Sequence, residues 1–180
     1  MLAKRLRLPL FLALASAGGI FGEVKTFVSK DVDFTQYRTY QWLPTRVLTK
    51  SGIVENEPTV SPIIEAAVKQ ELAKIGLTEV SQGADVQIST GALTESIPQL
   101  EAVFYGPIIP GPATTWGSTP TATLSRYIKQ GSLLLNMIDV RTNRSAWMAI
   151  ATKTLGKPSQ NEKAIHKAAA EMFKKYPQKP

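Results

Sequence analysis

Between Ala84 and Leu93 the side chains alternate without a break: Ala84, Val86, Ile88, Thr90 and Ala92 fall on one side, Asp85, Gln87 and Ser89 on the other. A period of two over this length reads as a half-buried strand. Such a strand needs neighbouring strands and a second layer over its apolar face. Two segments can supply that layer. Ile63, Ile64, Ala67, Val68, Leu72 and Ile75 recur at helical spacing, after Ser61-Pro62 and before Gly76. Ser61 suits the N-cap, Pro62 the first helical turn and Gly76 the C-terminal cap. Ala164, Ile165, Ala168, Ala169, Met172, Phe173 and Tyr176 form a second apolar stripe, which Pro177 ends. Ser159 opens this helix, with Glu162 at capping-box spacing.

Further strands are expected at 23–30, 37–43, 124–129, 133–141 and 145–155. In the second of these, Tyr40 and Trp42 share a face with Arg38, and Pro44 closes the strand. Asp31 to Thr35 reads as a turn, because aspartate side chains accept hydrogen bonds from nearby backbone amides. Residues 46–59 read as a polar loop with Gly52 and Pro58. Arg141-Thr142-Asn143-Arg144 reads as a hairpin turn with Asn143 in the left-handed conformation. The order predicts an α+β two-layer sandwich: an antiparallel sheet of five or six strands with two helices packed on one face.

The N-terminus reads as an address. Lys4, Arg5 and Arg7 precede the apolar run Leu8 to Leu14, and Ala15-Ser16-Ala17 follows. A basic start, a short apolar stretch and an Ala-x-Ala end describe a secretory signal peptide, residues 1–17, with Gly22 as an alternative cleavage point. The run is about half of the roughly 20 residues needed to span a bilayer. Extension through Ile20 and Phe21 leaves an uncleaved anchor or a core helix as the other reading. Residues 18–180 are then one exported domain, not an integral membrane protein after cleavage.

The chain has no Cys and one His, which excludes disulfides, a Cys nucleophile and any Cys- or His-rich metal cage. No phosphate-binding loop, Gly-x-Ser-x-Gly elbow or zinc spacing occurs, so no cofactor or metal is expected. Asp31 and Asp33 are two apart, as acid/base or cation-binding pairs can be, but a turn accounts for both. His166, on the last helix, has no local nucleophile beside it. Asp139, beside Arg141 and Arg144, reads as a cross-strand charge partner. Charge is uneven: residues 18–122 carry net −4 and residues 123–180 net +8. A solvated helix face accounts for this asymmetry without a partner; of the anionic partners, envelope lipid suits it better than nucleic acid, which export removes from reach and which calls for stacking aromatics among the charges.

Several short motifs resemble one known family. Asp33-Phe34-Thr35-Gln36-Tyr37-Arg38-Thr39-Tyr40-Gln41-Trp42 resembles an Asp-Phe-Ser-x-Tyr-Lys-Thr-Tyr-x-Trp opening. Leu72 to Leu77 resembles that family's helix end, and Gly83-Ala84-Asp85-Val86 its Ala-Asp strand start. Gly131-Ser132-Leu133, Ile138-Asp139-Val140, Thr142 and Trp147 resemble its final hairpin, and Met172-Phe173-Lys174-Lys175-Tyr176-Pro177 its terminus. The family is the bacterial exported domain of unknown function 4136, and the likeness spans residues 24–177. The resemblance implies a small exported α/β envelope module without an established activity. Many members carry a lipid-attachment Cys after the signal peptide; this chain has none there.

Family members often have an insert before the C-terminal hairpin, and so does this chain, at 96–123. Between Pro98 and Pro120 it holds five Pro and three Gly, and it carries no Lys or Arg. Phe104, Tyr105, Ile108, Ile109 and Trp116 are its large apolar side chains. Two readings stand. In one, the insert is an apolar arm that docks a protein or lipid partner through those five residues. In the other, it folds back over the open sheet face and completes the core.

The functional expectation is a non-enzymatic, envelope-associated binding or structural module whose partner is an envelope protein or an anionic lipid. A homo-oligomer through an open sheet edge or the insert is a further expectation. The alternative is a periplasmic enzyme whose Asp, Ser and Arg residues are assembled by folding, which a deep polar cleft containing Asp85 or Asp139 would favour.

Overall fold

The computed structural model describes residues 22–49, 51–94, 130–152, 154–155 and 158–177. The expected signal peptide at 1–17, the insert at 96–123 with its five apolar residues, the strand expected at 124–129 and the Ser159 side chain lie outside the described residues.

In chain order the elements are β1 (Val24–Val28), a 3-10 turn (Phe34–Gln36), β2 (Thr39–Trp42), β3 (Arg46–Thr49), β4 (Gly52–Glu55), α1 (Ser61–Lys74), β5 (Thr78–Glu79), β6 (Val86–Leu93), β7 (Ser132–Asp139), β8 (Arg144–Ala151) and α2 (Pro158–Phe173). The strands form one sheet, in the order β1-β8-β7-β6-β2-β5, with β3 beside β6 and β4 beside β3. β1, β8, β7 and β6 pair antiparallel, as expected.

The other half of the sheet departs from expectation: β2 and β3 both run parallel to β6, and β5 runs parallel to β2. The sheet is therefore mixed and, among the described residues, has eight strands rather than five or six. Pro44 is one reason. It has no amide to donate, so the stretch 39–49 is broken into two short strands along one flank of β6. Tyr40 to Trp42 pairs Val86 to Ile88, and Val47 and Leu48 pair Ala92 and Leu93. The other reason is α1, a crossover that returns the chain to the starting end of the sheet and so makes the next strand parallel.

The polar loop expected at 46–59 is a hairpin instead. β3 and β4 pair from Arg46↔Glu55 to Thr49↔Gly52, and Arg46 Nε donates to Glu55 Oε1 at 2.9 Å. Its sequence looks loop-like because only Val47 and Leu48 point into buried space.

Both helices cover the same face of the sheet, and α1 also packs against α2. Ile64, Val68 and Leu72 from α1 and Ile165, Ala169 and Met172 from α2 are buried with Val86, Ile88, Leu135, Met137, Trp147 and Ala149 of the strands. Trp147 is fully buried and meets Phe173 and Tyr176 edge-on at 5.2 and 5.1 Å. Trp42 is half-buried and packs against this core, with Lys69 Nζ 5.6 Å above its ring.

Gly76 caps α1 with φ +81°, as expected. The start of α1 differs: Ser61 is the first helical residue and its hydroxyl has no partner among the described residues. Val60 is the N-cap and makes no side-chain cap bond; Glu57 orders the approach to the helix, its carboxylate accepting from the Thr59 and Val60 amides at 3.1 and 2.8 Å. Asn143 takes φ +52° in the β7–β8 turn, as expected.

β6 is not half-buried: among its residues only Gln87 keeps partial exposure. The register places Leu48, Leu93, Leu134, Ile138, Met148 and Ile150 on the face away from the helices, and all six are at most 5% exposed.

Gly131 closes the entry to β7. Its φ is +80°, its amide donates to the Leu93 carbonyl at 2.7 Å, and its carbonyl accepts from Thr154 and Leu155. A Cβ here would lie 2.6 Å from the Leu155 carbonyl oxygen. Gly131→Ala is expected to lower stability by about 1–3 kcal/mol. Gly76→Ala, which shares the positive φ but meets nothing within 4 Å, should cost less. Urea unfolding of the pair checks this; equal losses would remove the steric argument.

Candidate functional site

At one end of the sheet, the start of β2, the start of β6 and the end of β7 come together. Asp33 begins the construction. Its carboxylate accepts from the Thr35 amide (2.9 Å), the Thr35 hydroxyl (2.6 Å) and Gln36 Nε2 (3.0 Å), and so fixes the 3-10 turn. This is the turn role expected for it; Asp31 is exposed beside it.

The turn delivers Tyr37 and Arg38 in opposite directions. The Tyr37 ring points inward, and its hydroxyl donates to Asp139 Oδ2 at 2.8 Å. Asp139 Oδ1 accepts from the Thr142 amide (2.8 Å) and hydroxyl (3.1 Å), and Arg141 Nη2 lies 3.5 Å from Oδ2. Burial pushes the Asp139 carboxyl up, but the Tyr37 hydroxyl, Thr142 and the Arg141 charge outweigh it and hold it below the usual carboxylate range. Burial, together with the Asp139 bond and charge, pushes the Tyr37 phenol well above its ordinary value.

Asp85 plays a parallel part. Its Oδ2 accepts from the Arg38 amide, the Thr39 amide and the Thr39 hydroxyl, each at 2.9 Å. The two backbone bonds lower its carboxyl below the ordinary value, against a smaller opposing effect of burial. The carboxylate thus anchors the first residues of β2 to the start of β6. Asp139 was expected to be a cross-strand partner of the nearby arginines. It does sit opposite Arg144 in register and near Arg141, but its short bonds go to Tyr37 and Thr142.

Above these anchors lies an open cleft of about 380 Å³. Phe34, Tyr37 and Tyr176 supply aromatic walls, Ile75-Gly76-Leu77 a wall from the end of α1, and Pro177 one rim. Phe34 meets Tyr37 and Tyr176 edge-on at 5.9 and 5.5 Å. Burial pushes the Tyr176 phenol up to about 12. Among the described residues, Arg38 and Lys74 are the charged members of the lining and no carboxylate belongs to it. Arg38 Nη1 donates to the Thr35 and Tyr37 carbonyls at 2.6 and 2.8 Å, which fixes the guanidinium at the rim. Lys74 Nζ is 2.6 Å from Glu71 Oε1.

Neither Asp85 nor Asp139 lines this cleft. His166 is half-buried on α2. No group of three or more His, Asp or Glu residues suited to a metal ion occurs among the described residues. Nor is any described helix long and apolar enough to cross a membrane. Phe104, Tyr105, Ile108, Ile109 and Trp116, expected to dock a partner, lie outside the described residues.

The cleft itself was not read from the sequence. Its lining comes from three motifs quoted separately: the opening around Phe34, Tyr37 and Arg38, the helix end at Lys74 to Leu77, and the terminus at Tyr176-Pro177. The Ala84-Asp85 and Ile138-Asp139 motifs brace the first of these. Their recurrence as a set was the available signal; their meeting in space was not.

A family model described as a domain of unknown function (DUF4136) matches residues 24–178. No curated protein matches the chain. Among solved structures, a DUF4136 family protein from Bacteroides thetaiotaomicron is similar with a TM-score of 0.67 at 15% identity, covering 88% of this chain and 97% of that one. A PDZ domain protein from Parabacteroides distasonis gives 0.53 at 19% identity, covering 88% of this chain and 36% of that one. A Leu-to-Met variant of the PelC dodecamer from Paraburkholderia phytofirmans gives 0.45 at 13% identity, covering 84% of this chain and 97% of that one.

Proposed function

The chain belongs to the family called domain of unknown function 4136, and we propose that it is an exported, non-catalytic binding module of the cell envelope that holds an anionic partner, protein or lipid, at the cleft between the 3-10 turn and the end of α1. One observation carries this reading. The motifs that carry the family resemblance converge on an aromatic-walled cleft whose described lining includes Arg38 and Lys74 and no carboxylate. The nearby carboxylates that chemistry would need are already committed: Asp33 to its turn, Asp85 to the β2 backbone, Asp139 to Tyr37 and Thr142. Asp85 and Asp139, each holding several short bonds and held below the usual carboxylate range, are poor general bases or acids near neutral pH. A cleft of this volume falls in the range of ligand pockets, and fixed cations beside aromatic rings suit a negative group on an apolar body. Export rests on the basic, apolar and small-residue order of residues 1–17.

Native mass spectrometry of the protein released gently from its own envelope tests the reading. The wild type is expected to retain a lipid or peptide adduct. Lys74→Glu combined with Arg38→Gln should lose it while the far-ultraviolet circular dichroism and thermal midpoint stay close to wild type. An adduct kept unchanged by the folded double variant would move the site elsewhere. A clean wild-type monomer would count against tight binding altogether.

A further inference from the structure

The lining of the cleft distinguishes between an anionic protein and an anionic lipid. We propose that its occupant is a single-chain lipid with a carboxylate or phosphate head, the head on Arg38 and the acyl chain over the aromatic floor. This rests on the cleft being the partner site.

The floor offers carbon rather than polar groups. The Tyr37 hydroxyl is turned to Asp139 at 2.8 Å and the Tyr176 hydroxyl to Met137 Sδ at 3.9 Å, both in buried surroundings. The two rings therefore line the cleft with their apolar parts. Phe34 and Ile75, both half-buried, continue that surface outward. A hydrocarbon chain gains by leaving water against such a surface.

Free main-chain donors are scarce in the same lining. The Tyr37 amide bonds the Phe34 carbonyl, and the Arg38 amide bonds Asp85. The amides of Ile75, Gly76 and Leu77 close the end of α1 on the Glu71, Ala73 and Leu72 carbonyls. The Tyr176 amide bonds the Phe173 carbonyl, and Pro177 has no amide. An extended peptide is held through main-chain hydrogen bonds, and a peptide carboxyl terminus through a nest of free amides. An acyl chain needs neither.

The head group falls to Arg38. Its Nη1 donates to the Thr35 and Tyr37 carbonyls at 2.6 and 2.8 Å, which holds the guanidinium in place. Among the described residues its Nε and Nη2 edge makes no bond. That edge matches two oxygens of one carboxylate or phosphate. Lys74 is less available, because its ammonium already lies 2.6 Å from Glu71 Oε1.

Isothermal calorimetry of the full chain with laurate and with lauroyl lysophosphatidate, each below its micelle concentration, tests this. Dodecanol supplies the chain without the charge, and a peptide rich in Asp and Glu supplies the charge without the chain. One amphiphile should bind one to one, and the tighter of the two identifies the head as carboxylate or phosphate. Arg38→Gln should weaken it about tenfold, and Arg38→Lys nearly as much, because lysine keeps the charge and loses the fork. Lys74→Gln should change little. Ile75→Asp, which sets a carboxylate in the path of the chain, should weaken it as well; if that variant does not fold by circular dichroism, the Arg38 variants decide. Amphiphile binding left unchanged by Arg38→Gln or by folded Ile75→Asp, or matched by dodecanol, would overturn the proposal. Binding of the peptide alone, lost in the Arg38→Gln, Lys74→Glu double variant, would overturn the lipid and keep the cleft. Binding of neither class would overturn both.

Discussion

Replacing Trp147 with alanine is expected to lower the unfolding free energy by about 3–5 kcal/mol, the range for deleting a large buried aromatic. Trp147 is fully buried in β8 and contacts Phe173 at the end of α2 and Tyr176 just beyond it, both edge-on. Alanine would leave a cavity bounded by the sheet on one side and the α2 terminus on the other, where neither can close in without breaking pairing in β7 and β8. Trp147→Phe should be far milder. The indole Nε1 has no hydrogen-bond partner among the described residues, so phenylalanine removes an unmatched donor along with the extra ring. Urea unfolding followed by circular dichroism measures both variants. A Trp147→Ala loss below about 1 kcal/mol would mean that the centre of the core lies elsewhere.

Removing Asp139 is expected to have the next largest effect. Asp139→Ala strands the buried Tyr37 hydroxyl and releases the Thr142 amide and hydroxyl from the β7–β8 turn. An unpaired buried donor costs about 1–3 kcal/mol, and the lost turn bonds bring the expected total to about 2–4 kcal/mol. Tyr37→Phe should cost less, since Asp139 keeps Thr142 and Arg141. In the double variant the two losses should fall short of additivity, because the Tyr37–Asp139 bond is counted in each single variant. Full additivity would show that the bond carries no energy.

The same group sets an acid limit. The Asp139 carboxyl is lower in the folded protein than its ordinary value of 3.8. The unfolded chain therefore takes up the proton first as pH falls. The stabilisation is complete above that ordinary value and is lost as pH drops through the lower, folded one. Asp85 has the same direction for a different cause, its bonds to two backbone amides. Asp139→Asn should flatten part of the acid limb of a stability–pH curve, and an unchanged limb would assign it to other carboxylates.

Much of the architecture was legible because it is written in local periodicity. The stripes of α1 and α2, the alternation of β6, the Gly76 cap and the left-handed Asn143 depend only on residues close in sequence. The hairpin at 46–55 escaped because its charges resemble a loop and two buried residues are too few to show a period. The Ser61 cap failed because the helix begins at Ser61 itself, which puts Val60 at the cap position. Strand direction also escaped, since alternation reports which side of a strand is apolar and says nothing about which way its neighbour runs.

The sequence by itself determined the family, the two described helices and the sheet they cover, the helix-facing residues and the absence of cysteine chemistry. Tertiary structure alone decided that the sheet is mixed, that three separate motifs line one cleft, and that Asp139 belongs to Tyr37, 102 residues away. The reason is range. Backbone propensity and side-chain spacing act over a few residues, whereas a hydrogen bond across the sheet exists only once topology has brought its two ends together.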